Sequence, residues 1–216
     1  MIRIKICGVT SVEEACTAAE LGATHLGLNF YPPSPRCLSH EQARAISSAV
    51  RELPSPPVLV GVFVNETPDA MQAMLEACAL DLAQLSGDEP LGTLNMLRPR
   101  AYKAIRLNGS ESEDLPAAAR PSEIPNPQSP DLLLDAHVRD SYGGTGKTVD
   151  WSRAAAFAQR CDLMLAGGLT PDNVAKAIRA VRPWGVDVAS GLESEPGVKD
   201  ADKMAAFIRH ARAALT

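Results

Sequence analysis

The sequence predicts an α/β fold, a single-domain (β/α)8 barrel over residues 1–216, on three observations. Short apolar segments alternate with helix-patterned ones eight times, which implies parallel strands joined by right-handed crossovers. Val58–Val64 (VLVGVFV) and Asp131–Asp135 (DLLLD) are nearly continuous apolar runs, as expected of strands buried on both faces. Small-residue turns, Gly167-Gly168 and Ser190-Gly191, follow the last two strand segments, where such barrels bind phosphate. A doubly wound open sheet is the alternative. The count of eight and the lack of GxGxxG after the first strand argue against it.

The elements follow in order. Ile2–Cys7 alternates apolar and basic residues and stops at Gly8, a first strand. Ser11-x-x-Glu14 is a capping-box pattern for a helix ended by Gly22. His25–Asn29 is the second strand. Tyr31–Leu38, with three prolines, is a loop, and Ser39 caps the next helix. Val58–Val64 is the third strand, and Thr67-Pro68 opens a helix with a cap followed by an N1 proline. Leu80–Leu85 is the fourth strand, Glu89–Leu97 a weak helix interrupted by Gly92, and Ala101–Leu107 the fifth strand. Asn108–Pro130 breaks the rhythm, because five prolines from Pro116 onward oppose a long helix. A short helical turn over Glu113–Arg120 is the most this segment allows, so the fifth helix is expected to be irregular. Asp131–Asp135 is the sixth strand, Ala136–Val149 a glycine-rich loop, and Asp150 the cap of a helix near Trp151–Arg160. Leu163–Ala166 and Gly185–Val188 are the last strands, joined by a helix with Thr170 as cap and Pro171 at N1. A helix from Asp200 to Ala214 closes the chain.

Composition bounds the partners. A formal charge of −5 argues against a general nucleic-acid or polybasic membrane surface, and no apolar run spans a bilayer. Aromatic residues are only 4%, which suits closely packed helices better than an all-β sandwich. Five cysteines without a CxxC pair fit neither a disulfide framework nor a zinc ribbon, so a reducing, cytoplasmic setting is expected.

Reactive groups of such a barrel lie at the C-terminal ends of strands and in the loops beyond. Cys7, Arg36, Asp135 and Asp187 occupy such places, with Lys103 and Arg106 in strand five and His137 after strand six. A strand cysteine is commonly a small buried hydrophobe, whereas an aspartate after three leucines must be paired, hydrated or functional. Cys7 and Asp135 could together form an acid/base pair across the mouth. Arg36 on its loop suits a carboxylate, although a solvated loop charge is the commoner case. Gly143-Gly144-Thr145-Gly146-Lys147 tempts a P-loop reading, but the first glycine of that pattern falls on Ser141 and the match fails. Lys103 could form a Schiff base, with a carboxylate pair preferred. Asp135, His137 and Asp187 are thin support for a metal, and none is expected.

Lys5-Ile6-Cys7-Gly8, Ser34-Pro35-Arg36, Gly61-Val62-Phe63, Gln84-Leu85, Gly143–Gly146, Leu165–Leu169, Asn173-Val174, Gly185–Val188 and Lys199-Asp200 together resemble the phosphoribosylanthranilate isomerases of tryptophan biosynthesis. The likeness runs from the first strand to the last helix. It implies a cytoplasmic TIM barrel, monomeric or homodimeric, that performs an Amadori rearrangement of N-(5-phosphoribosyl)anthranilate without a cofactor. In that reading Asp135 is the general acid, Cys7 takes the C2 proton, and Arg36 holds the anthranilate carboxylate. Asp187 lies near the anthranilate amine, and backbone around Gly144, Gly167, Gly168, Ser190 and Gly191 holds the phosphate. Ser86 departs from the family, which usually carries histidine there. The related aminoaldose isomerase of histidine synthesis uses aspartate where Cys7 stands, which argues against that activity. A non-catalytic binder of a phosphorylated ligand is the remaining alternative.

Overall fold

A computed structural model of the chain describes residues 1–106, 126–135 and 151–214. Eight parallel strands close into a barrel: β1 (Arg3–Cys7), β2 (His25–Asn29), β3 (Val58–Phe63), β4 (Leu82–Leu85), β5 (Ala101–Arg106), β6 (Leu132–Asp135), β7 (Leu163–Ala166) and β8 (Gly185–Val188). Closure comes from β8 pairing back onto β1, with Lys5 beside Asp187 in register. The period of two in each strand divides the side chains. Ile4 and Ile6, Leu26 and Leu28, and Val186 and Val188 point outward into an apolar shell under the helices. Val60, Leu82, Tyr102, Leu133, Met164 and Ala166 form a smaller cluster inside the barrel. Lys5, Cys7 and Asp187 share that inner face.

The helices are α1 (Val12–Leu21), α2 (His40–Arg51), α3 (Pro68–Ala77), α4 (Leu91–Leu97), α5 (Trp151–Ala158), α6 (Val174–Val181) and, after a hairpin, α7 (Ala201–Ala213). Most starts follow the capping chemistry expected. Ser39 and Gln42 form a complete capping box, Thr67 caps α3 ahead of Pro68, and Asp200 caps α7. At α1 only half the box forms. Ser11 accepts from Glu14 N–H, but the Glu14 carboxylate accepts from the N–H groups of Thr10 and Lys199 at 2.7 Å each, tying the first helix to the last connection.

Three details differ from expectation. Helix α6 starts at Val174, not after Thr170, because Asn173 closes a turn first: its Oδ1 accepts Thr170 N–H and its amide donates to Gly168 O. Helix α4 starts only at Leu91, behind Pro90, and runs through Gly92 without interruption. A small antiparallel hairpin, β9 (Glu193–Glu195) and β10 (Val198–Lys199), stands between β8 and α7. The helical turn expected over Glu113–Arg120, and with it the irregular fifth helix, lies outside the described residues. No helix among the described residues is long and apolar enough to cross a membrane.

Candidate active site

Cys7 ends β1, two residues beyond Lys5 on the same inner face. Lys5 is fully buried, and its ammonium donates to Asp187 Oδ1 on β8 and to Gln84 Oε1 on β4, both at 2.8 Å. Tyr102 O–H on β5 donates to the same Gln84 oxygen at 2.9 Å, and Gln84 Nε2 donates to Ser86 Oγ at 3.0 Å. A charge so deep survives only when paired and hydrogen-bonded, and this network supplies both. Burial works against the Lys5 ammonium, but Asp187, with Cys7 and Tyr102 beside it, outweighs that and holds its pKa above the ordinary lysine value. Burial pushes the Cys7 thiol up, Lys5 opposes that shift by charge and hydrogen bond, and the net direction is upward. Space for the thiol comes from Gly27 on β2: a Cβ there would sit 2.8 Å from Cys7 Sγ.

Asp135 ends β6, half-buried, and shares a face with Leu133 of the inner cluster. Strands β7 and β8 separate it from β1, so Asp135 and Cys7 face the mouth from different sides. Arg106 on β5 is its register partner. The opening beside β2 to β5 is a cavity of about 820 Å³ lined by Asn29, Tyr31, Ser86, Glu89, Lys103 and Arg106 among others. Lys103 is engaged there by the Glu89 carboxylate and the Gly87 carbonyl, the carboxylate pairing preferred over a Schiff base.

Arg36 reaches the mouth from the loop after β2. Its stem lies over Gly8, whose φ of 73° suits glycine and where a Cβ would meet Arg36 Cδ at 2.3 Å. The guanidinium grips Glu193 in a fork, Nε to Oε1 and Nη2 to Oε2, each at 2.6 Å. Lys199 Nζ donates to Glu193 Oε1 at 2.7 Å. Burial alone would raise the Glu193 carboxyl, but Arg36 and Lys199 overcome it and hold the group at about 2.

The two glycine turns meet. Gly167 (φ 99°) and Gly168 (φ 63°) both need a left-handed backbone. Ser190 and Gly191 open a 3-10 turn (Ser190–Leu192), and a Cβ on Gly191 would sit 1.9 Å from Leu169 O. The first N–H groups of such a turn have no acceptor within it, which makes this corner suited to an anion. Gly144 and His137 lie outside the described residues. Among the described residues, no group of three His, Cys, Asp or Glu side chains is placed to hold a metal ion.

Tyr102 and Glu193 were not singled out by sequence, and Lys5, Gln84 and Lys199 stood in the resembling motifs without a role assigned to them. Lys5 carried only a weak signal, a basic residue alternating with isoleucines just as Arg3 does. Pro196-Gly197 marks the hairpin turn that brings Lys199 back to Glu193.

Residues 4–210 match the family model described as N-(5'phosphoribosyl)anthranilate (PRA) isomerase. The N-(5'-phosphoribosyl)anthranilate isomerase of Trichlorobacter lovleyi is 46% identical, over 100% of both chains. The phosphoribosyl anthranilate isomerase of Thermotoga maritima superposes with a TM-score of 0.82 at 41% identity, covering 99% of this chain and 100% of that one. A structure of phosphoribosyl anthranilate isomerase in complex with reduced 1-(o-carboxyphenylamino)-1-deoxyribulose 5-phosphate superposes at 0.80 with 38% identity, over 99% and 100% of the two chains.

Proposed function

The chain belongs to the phosphoribosylanthranilate isomerase family, and from that premise we propose how its residues divide the reaction. The enzyme converts N-(5'-phosphoribosyl)anthranilate to 1-(o-carboxyphenylamino)-1-deoxyribulose 5-phosphate, the Amadori step of tryptophan biosynthesis. Asp135 protonates the furanose ring oxygen as the C1–O bond breaks, giving an open-chain Schiff base. Cys7 removes the C2 proton, and the electron pair moves to form an enolamine that tautomerises to the aminoketone. Carbon C2 is oxidised and C1 reduced within one molecule, so the balance calls for no external electron carrier. The reaction is an aldose–ketose isomerisation, an intramolecular oxidoreduction.

Arg36 receives the anthranilate carboxylate, and Asp187 lies near the amine. The phosphate rests on backbone N–H groups of Gly144, Gly167, Gly168, Ser190 and Gly191. The observation that carries this reading is the placement of Cys7 and Asp135 on strands across the mouth, with the two glycine turns of β7 and β8 between them. One barrel domain, working in the cytoplasm as a monomer or homodimer on a phosphorylated small molecule, fits the same reading.

The test is the decay of substrate fluorescence, with substrate generated in place, for wild type, Cys7→Ser and Asp135→Asn. Each variant is expected to lose roughly 10²–10⁴-fold in turnover while melting cooperatively near wild type. Turnover near wild type in either would remove that residue from its role.

A further inference from the structure

The Arg36 fork deepens the reading above and rests on it. Glu193 begins β9 and is nearly closed off, its side chain 5% exposed, and the Lys199 side chain is 0% exposed. Both Glu193 oxygens are committed: Oε1 accepts from Arg36 and Lys199, and Oε2 accepts from Arg36. Lys199 is itself fixed, because Nζ also donates to Ala189 O at 3.2 Å and its backbone N–H donates to Glu14. Lys203 Nζ adds a bond to Glu193 O at 2.7 Å.

A guanidinium offers two edges that can fork a carboxylate, Nε with Nη2 and Nη1 with Nη2. Glu193 takes the first, and the second has no hydrogen-bond partner among the described residues. The balance of charge then explains Lys199. Arg36 with Glu193 alone would be neutral and a poor magnet for an anion, whereas Arg36, Glu193 and Lys199 together carry a net charge of +1.

We propose that Glu193 is a positioning residue for carboxylate recognition: with Lys199 it holds Arg36 over Gly8 so that the free guanidinium edge meets the substrate carboxylate. The β9–β10 hairpin is the device that brings the two side chains to the arginine. The effect is on binding, because the bonds these two side chains make lead to Arg36, to each other and to Ala189 O, not to the Cys7 thiol.

Steady-state kinetics of Glu193→Gln, Lys199→Met, Arg36→Met and the Arg36→Met/Glu193→Gln double variant test this. Glu193→Gln is isosteric, and thermal melts report whether each variant is folded. The expected result is a KM raised on the order of tenfold by Glu193→Gln and by Lys199→Met, with kcat within about threefold of wild type. Glu193→Asp should recover part of the loss. In the double variant, Glu193→Gln should add nothing to the loss from Arg36→Met, because it acts through that arginine. Full additivity, or a fall in kcat with KM unchanged, overturns the proposal while a raised KM in Arg36→Met leaves the arginine's role standing. An unchanged KM in Arg36→Met would remove the arginine reading and this proposal together.

Discussion

Lys5 sets the electrostatic conditions around Cys7. Its ammonium lies below the thiol on the same strand, while Asp187 faces the pair from β8, Tyr102 from β5, Lys199 from the hairpin and Arg36 from the loop after β2. Replacing Lys5 with Met removes a cation that favours the thiolate, so the Cys7 thiol should titrate higher still. A thiolate absorbance titration, read as the difference from Cys7→Ser in each background, checks the direction. The same change strands the Asp187 carboxylate, and urea unfolding should show a loss of about 3–5 kcal/mol, as when one partner of a buried ion pair is removed. The sequence marked Cys7, Asp135, Arg36 and Asp187 because they are reactive residue types where such a barrel carries its chemistry, toward the C-terminal ends of strands and in the loops beyond. It did not mark Lys5, because Arg3 and Lys5 alternate with the same isoleucines on one face of the strand and look alike in sequence. In the fold Arg3 lies against the Trp184 ring at 5.2 Å, and Lys5 carries the network beneath the site.

At the scale of elements, turns and caps were legible where one residue's chemistry decides them, as at Ser39, Thr67 and Asp200. They were not where a neighbour competes: at α6 Asn173 wins over Thr170, and at α1 the Glu14 carboxylate serves Thr10 and Lys199. Glycine shows the same division. Gly191 touches the backbone of the preceding turn, so Gly191→Ala has no flexible atom to displace and should cost about 1–3 kcal/mol in urea unfolding, with phosphate affinity lost as the two turns part. Gly92 lies in α4, where an added methyl group would meet nothing within 4 Å. There Gly92→Ala should stabilise the protein by about 0.5–1 kcal/mol through helix propensity alone. Opposite signs from one substitution type, measured side by side, would show that packing and not composition governs each glycine.

Across the whole molecule, the eightfold alternation was legible because parallel strands buried on both faces carry nearly unbroken apolar runs. The closing pair, β8 on β1, leaves no such mark, since pairing partners 182 residues apart share no local pattern. The floor of the barrel was equally hidden. His25 lies there on the inner face of β2, its Nε2 2.8 Å from Gln128 O and its Nδ1 2.8 Å from Thr24 Oγ1. A carbonyl can only accept, so Nε2 carries a proton, while Nδ1 faces the Thr24 hydroxyl, whose one proton is also within reach of Ile4 O at 3.1 Å. Burial lowers the His25 pKa from 6.5 to about 4, with the Gln128 bond opposing. The unfolded chain therefore binds this proton first. The stability due to His25 is complete above about pH 6.5 and is lost as pH falls toward about 4, a total of about 3 kcal/mol. Glu193, ordinarily near 4.5 and held at about 2, loses its own contribution only at lower pH, so the two windows barely overlap. Urea midpoints taken from about pH 7.5 to 4.5 should fall for wild type. For His25→Gln they should start lower and change less over the same range, and parallel curves would mean that His25 is not the group responsible.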